Sequence, residues 1–258
     1  MLSPIAIDRI SPPSFEDFQH NYLKANRPIV ITGLVNQWPA LKNWDFEYFS
    51  KNFGDVKAGA FSLIGGECDL NTERGSKLES VSVAESISSI TEGRLDNGWA
   101  IATPVSIFPT KFQKDYYPPP YCADGKFLRS MTFLGPKGTI TSLHHDLPEN
   151  LYVMVKGKKR IMLFAPSSPV YPNSPFSKLP NHSKIDAEAP DYERFPRVKN
   201  AQPYYVDLVA GETLFIPSLW WHHLRNLEPS IAVNFWWAQG WKLPIAWAAA
   251  TYKRLRAI

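Results

Sequence analysis

The chain has 258 residues, 44% of them hydrophobic and 20% charged, with a formal charge of +4, an ordinary balance for a globular protein that can bury a substantial core. The basic excess forms no stripe of the kind a dedicated nucleic-acid binder carries, and no apolar run approaches the ~20 residues that span a bilayer. Cys68 and Cys122 are too few for a disulfide framework and read as reduced thiols; the first residues lack a basic n-region and an apolar h-region, so a cytoplasmic protein is expected.

In chain order, Ser14 is placed to cap a helix over Phe15 to Ala25, with Phe15, Phe18 and Tyr22 on one face. Pro28 to Ile31 reads as a short buried strand ended by Gly33. A second helix is expected over Asp45 to Asn52, stopped by Gly54. A third spans Ser82 to Thr91, with Val83, Ile87 and Ile90 on one stripe. Trp38 and Trp44 read as core anchors. From Trp99 the pattern turns to β, with short apolar or alternating runs at Trp99 to Ile101, Phe127 to Leu134, Leu151 to Val155, Ile161 to Phe164, Tyr204 to Leu208, Thr213 to Ile216 and Ile231 to Trp237. Gly or Pro punctuates most of the gaps, which argues for a barrel or sandwich with helices packed on it. From Pro166 to Pro203 there are eight prolines and little periodicity; a connection this long reads as an ordered loop near the mouth of a pocket.

Four of the six histidines occur as two doublets, His144-His145 followed by Asp146, and His222-His223 preceded by Trp220-Trp221. On a strand over Thr141 to Asp146, side chains alternate, so His144 and Asp146 share a face while Leu143 and His145 share the other. The next ligand comes from the second doublet. Alternation groups Trp220, His222, Leu224 and Asn226 on one face and Trp221, His223 and Arg225 on the other, and does not say which face is inside. Two histidines and a carboxylate with open positions are the usual site of non-haem Fe(II) oxygenases; zinc can occupy the same three ligands and activate water.

The cluster Lys156-Gly157-Lys158-Lys159-Arg160 is broken by its glycine and reads as a hairpin turn. It returns Lys159 toward the same cavity, where a buried ammonium needs an anionic partner. Thr141 is an odd number of residues from His144 and reaches that cavity only if its strand bends or starts there. Asn234 and Trp236 share one face of the last strand. His20 and His182 read as ordinary core or surface histidines.

The runs TSLHHDLPENLYVMVKGKKRIMLFAP (141–166), GETLFIPSLWWHHLRNL (211–227) and IAVNFWW (231–237) resemble the jumonji-C, cupin-like 2-oxoglutarate oxygenases. The likeness is to their hydroxylase branch, exemplified by the factor-inhibiting-HIF asparaginyl hydroxylase. The segments PIVITGL (28–34), WPALKNWD (38–45) and DYERFP (191–196) look like the same branch. The resemblance implies a mainly β double-stranded β-helix over 99–239, with 1–98 packed on it and a short helical tail at 240–258. It implies His144, Asp146 and His222 as Fe(II) ligands, which selects His222 over His223. It implies Lys159 and Thr141 at the far carboxylate of 2-oxoglutarate, Asn150 and Asn234 lining that pocket, and Trp236 beside it. Several members place a tyrosine hydroxyl on the cosubstrate from the strand where this chain has Gly98-Trp99-Ala100, and Trp99 cannot accept a hydrogen bond. The implied activity is hydroxylation of a C–H bond with release of succinate and CO2. A protein or peptide substrate is expected, with tRNA or a small molecule as alternatives and a homodimer as a weaker expectation. A non-oxygenase metal cupin and a catalytically silent binding module are the competing readings.

Overall fold

In the computed structural model, which describes residues 1–68, 77–122, 129–240 and 242–245, the chain up to Pro104 supplies helices and the outlying strands of both sheets. Strands β1 (Ile5–Ala6), β2 (Arg9–Ile10) and β3 (Ile29–Thr32) precede β4 (Lys57–Ser62), β5 (Leu78–Ser82) and β6 (Trp99–Pro104). Helix α1 (Phe15–Phe18) begins where Ser14 Oγ accepts the Asp17 amide, and then widens into a π-helix over Gln19–Lys24. The expected single α-helix is therefore corrected. Phe18 and Leu23 are the buried residues here, five apart, and an i to i+5 repeat brings both to one face where an α-helix would present Tyr22. Helix α2 (Ala40–Asn43), which periodicity did not reveal, precedes α3 (Phe46–Phe53), capped by Asp45, and α4 (Val83–Thr91), capped by Ser82.

From Arg129 the chain passes back and forth between two facing sheets: β7 (Arg129–Gly135), β8 (Ile140–His145), β9 (Glu149–Lys156), β10 (Lys158–Phe164), β11 (Tyr204–Val209), β12 (Glu212–Ile216), β13 (Trp221–Asn226) and β14 (Ser230–Trp237). The large sheet has the order β2-β3-β12-β9-β14-β7-β6-β4-β5, and the small sheet β1-β11-β10-β13-β8. The eight late strands thus form a double-stranded β-helix, with β12-β9-β14-β7 facing β11-β10-β13-β8. Gly157, at φ +80°, turns the chain from β9 in one sheet to β10 in the other, so this turn is a corner between sheets and not the expected hairpin.

Alternation along the strands separates two cores. Tyr152 and Met154 on β9, Ile161 and Leu163 on β10, Leu214 and Ile216 on β12 and Ala232 on β14 fill the space between the sheets. Leu151, Val153, Phe215, Val233 and Phe235 point the other way, onto the helices, where they meet Phe18, Phe49, Phe53, Val83, Ile87 and Ile90. Trp38 and Trp44 are buried in this second core, and Trp44 stacks on Phe112 at 4.4 Å. Its indole donates to Asp115 at 2.9 Å, as does the Tyr48 hydroxyl at 2.6 Å. The connection after β10 is ordered: Val170, Ile185, Ala187, Phe195 and Val198 cover the outer face of the small sheet against Leu143, Phe164 and Trp221. No helix among the described residues is long and apolar enough to cross a membrane. Residues 242–245 are helical; residues 241 and 246–258 of the expected C-terminal helical tail, and Phe127 and Leu128 of the expected strand from Phe127 to Leu134, lie outside the described residues.

Candidate metal centre

His144 on β8 lies directly opposite His222 on β13, and opposed residues on antiparallel strands project to the same face. That face is the interior, since Leu224, two residues after His222, belongs to the core between the sheets. Ligand atoms of His144, Asp146 and His222 all lie within 4.8 Å of one another, and His222 Nε2 stands 3.7 Å from Asp146 Oδ2. His144 Nδ1 is 2.8 Å from the Ser142 carbonyl and His222 Nδ1 is 2.9 Å from the Trp220 carbonyl. A carbonyl only accepts, so both Nδ1 atoms carry the proton and both Nε2 atoms present a lone pair. Burial, reinforced by the charge of His222, lowers the His144 pKa against the opposing pull of Asp146. Neutral imidazoles with pinned tautomers and a carboxylate are the donor set a divalent metal takes. The turn that delivers His222 is tied to the one that delivers Asp146: Leu219 N donates to the Asp146 carbonyl at 2.8 Å, and Ser218 N to Glu149 Oε2 at 2.8 Å.

The other halves of the doublets face outward. His145 packs edge-on against Trp221 at 4.6 Å. His223 Nε2 sits 3.2 Å from Glu188, a residue of the long connection that also binds Arg225. Those two partners, His223 first, hold the Glu188 pKa down at about 2.

Deeper in the barrel, Lys159 lies opposite Asn226, four residues along β13 from His222, or about 13 Å of strand. It is 6% exposed, and its ammonium donates to the Tyr152 hydroxyl at 2.7 Å. Burial lowers its pKa to about 8, with the nearby Cys68 charge acting in the opposite sense. Among the described residues no carboxylate pairs with it. Thr141 reaches the same interior by a β-bulge: between the His222–His144 and Leu224–Thr141 pairs, β13 advances two residues while β8 advances three. The extra residue lets both Thr141 and His144 face inward, which an unbroken strand forbids.

Asn150 and Trp236 are opposite one another on β9 and β14. Asn150 Oδ1 and Trp236 Nε1 are buried and reach no hydrogen-bond partner among the described residues. Asn234, opposite Tyr152, accepts the Met131 amide on its carbonyl oxygen at 3.1 Å, which leaves its NH2 group for a ligand. Trp99 is not in this cavity. It packs against the helix-side core with Ile101, so it does not stand where the tyrosine of those members meets the cosubstrate.

A family model described as a cupin-like domain matches residues 15–242. The chain belongs to the cupin-like domain family. Relatives of this cupin-like chain include lysine-specific demethylase 8 of Xenopus tropicalis, 31% identical over 92% of the chain and 54% of that protein. The bifunctional peptidase and (3S)-lysyl hydroxylase JMJD7 of Homo sapiens is 28% identical over 91% of the chain and 84% of its own length. The 2-oxoglutarate and iron-dependent oxygenase JMJD4 of Gallus gallus is 27% identical over 93% and 62%. The chain spans little more than half the length of the demethylase it matches.

Two residues of the cupin-like cavity escaped the sequence reading. Tyr152 carried a signal, because it is two residues after Asn150 on the same strand and so shares its face. His182 carried none. It comes from the irregular connection, yet its ring stacks on His144 at 5.3 Å.

Proposed function

We propose that this cupin-like chain is an Fe(II)- and 2-oxoglutarate-dependent oxygenase of the jumonji-C hydroxylase branch, acting on a C–H bond of a protein or peptide side chain. The observation that carries the reading is the buried Lys159 ammonium, which faces the same interior as the His144, Asp146 and His222 cluster and among the described residues meets no carboxylate. A buried cation without a counter-charge is costly, and a dicarboxylate that reaches the metal with its other end removes that cost. A zinc cupin has no use for this lysine, and a silent module has no use for three convergent ligands.

In this reading His144, Asp146 and His222 hold the metal. Lys159, with the Tyr152 and Thr141 hydroxyls, holds the far carboxylate of the cosubstrate. Asn150, Asn234 and Trp236 line the wall between. The bound iron and 2-oxoglutarate supply the oxidising power, with dioxygen consumed, succinate and CO2 released and one oxygen atom entering the substrate. The protein orients the substrate carbon and keeps water out, a task suited to the apolar packing of Met154, Leu163, Leu214 and Ile216 around the cavity. Residues 99–239 make up the catalytic region, whose barrel is β7 to β14, and residues 1–98 brace its large sheet. Hydroxylation is favoured over demethylation because the lysyl hydroxylase relative is matched over most of its length, whereas the demethylase relative is matched over about half.

The test is succinate release by protein supplied with Fe(II) and 2-oxoglutarate, with mass spectrometry of a treated lysate for proteins or peptides that gain one oxygen atom. Asp146→Ala should abolish both. Equal succinate release from that variant sinks the assignment; activity without oxygen and 2-oxoglutarate favours the zinc alternative. Product oxygen appearing in RNA or small molecules instead redirects the substrate class.

A further inference from the structure

Three imidazoles stand in a row across the edge of the small sheet. His222 on β13 lies opposite His144 on β8, and His144 lies opposite His182 in an isolated antiparallel bridge. Opposed residues share a face, so all three rings project to the interior side. Their lateral order places His144 in the middle. Its ring centroid is 4.1 Å from that of His222, at an interplanar angle of 57°, and 5.3 Å from that of His182, at 24°. The first two belong to the cluster of convergent ligand atoms, and His182 does not.

Backbone bonds pin the segment that carries His182, and its Nδ1 lies 3.3 Å from Asn181 Oδ1. Ser183 N donates to the Leu143 carbonyl at 2.8 Å, His145 N to the Asn181 carbonyl at 3.0 Å, and Asn181 Nδ2 to the His145 carbonyl at 2.9 Å. These bonds extend the small sheet by one short segment past β8, its last strand. Val170, Ile185 and Ala187, on either side of that segment, are buried in the outer core. The bond from His144 Nδ1 to Ser142 fixes one edge of the ligand ring. Rotation of the ring about that edge is limited by what lies on its flanks. His222 covers one flank, and without His182 the other would face the open edge of the sheet.

We propose that His182 is a positioning residue of the metal centre, whose ring stacks on His144 and holds that ligand in its metal-binding orientation. The proposal rests on the metal-site reading above. Partners hydrogen-bonded to a metal's ligands typically change its affinity ten- to a hundredfold, and a stacked ring that reduces the ordering a ligand must undergo acts in the same direction. It also gives the long connection a part in the site, through one side chain.

The experiment uses full-length protein freed of metal, as wild type, His182→Ala, His182→Leu and His182→Phe. Each is titrated with Fe(II) anaerobically by calorimetry and with Co(II) by visible d–d absorption, and the thermal midpoint is taken without metal. His182→Ala and His182→Leu should bind Fe(II) about tenfold more weakly and shift the Co(II) band. His182→Phe, which keeps a flat ring on His144, should stay within about twofold of wild type with an unshifted band. His182→Leu keeps the site filled, so the comparison survives if the alanine variant folds poorly. Wild-type affinity and spectrum in the leucine variant overturn the proposal, as does a phenylalanine variant as weak as leucine. Wild-type protein that binds neither metal overturns the metal-site reading along with it.

Discussion

Replacing Lys159 by Met and Tyr152 by Phe together should make the metal-free protein more stable while removing its hold on the cosubstrate. Burial holds the Lys159 ammonium at a pKa of about 8 against an ordinary 10.5. At 1.36 kcal/mol for each factor of ten, the charged form costs the fold about 3 kcal/mol. Below pH 8 both folded and unfolded chains carry the proton and the cost is present in full. Between pH 8 and 10.5 the unfolded chain keeps a proton that the folded chain gives up, so wild-type stability from this group rises with pH across that window. The double variant loses the Lys159–Tyr152 hydrogen bond, about 1 kcal/mol net, and leaves no buried hydroxyl unpartnered. The balance is about 2 kcal/mol in favour of the variant at pH 7, or roughly 4–8 °C in thermal midpoint for a chain of this size. Calorimetric scans of metal-free, cosubstrate-free protein at pH 7 and pH 10 read it directly. The variant should melt higher at pH 7, and its advantage should shrink at pH 10. A variant that melts at or below wild type at pH 7, or an advantage that does not change with pH, refutes the reasoning. The variant should also fail to bind 2-oxoglutarate by calorimetry, the trade of stability for function expected of a buried charge kept for a ligand.

Gly157→Ala should destabilise by about 2–4 kcal/mol in denaturant unfolding, because its φ is +80° and an added Cβ would lie 2.2 Å from the Pro229 carbonyl oxygen; an unchanged midpoint would mean that the corner can relax. Trp99→Phe should leave 2-oxoglutarate affinity within about twofold of wild type, as befits a residue in the helix-side core, and a tenfold loss would return it to the pocket. Glu188, whose carboxylate is held well below its ordinary 4.5 by His223 and Arg225, contributes stability that is fully present above pH 4.5 and is lost as pH falls toward 2. Glu188→Gln should flatten acid unfolding in that window, and a parallel curve would show the cluster to be idle.

What was legible in the sequence and what was not follows from the range of the interactions involved. Runs such as Leu151 to Val155 and Ile231 to Trp237 are buried on both faces, and their continuous apolar character marks them as strands whatever they pair with. Strand β4, Lys-Ala-Gly-Ala-Phe-Ser, has almost none of that character; it is a strand because β5 and β6 pair with it on either side. The π-helical widening after α1 answers to Tyr121 and Phe215, which meet Phe18 from remote parts of the chain.

The candidate site divides along the same line. Alternation placed His144 with Asp146 and put His145 outside, and the opposed His222–His144 pair and the outward packing of His145 agree with it. Alternation also made Thr141 the awkward member, three residues from a histidine whose face it had to share. The bulge in β8 removes the conflict, and it does so at a strand whose outer edge is paired only in short stretches, by Ser183 at one end and Cys68 at the other. An extra residue in an edge strand disturbs one ladder, whereas in a central strand it would have to be absorbed by two. The position of β8 at the end of the small sheet is therefore what allows a hydroxyl and an imidazole three residues apart to point into one cavity. The same exposed edge is what leaves His144 in need of a neighbour on its far side.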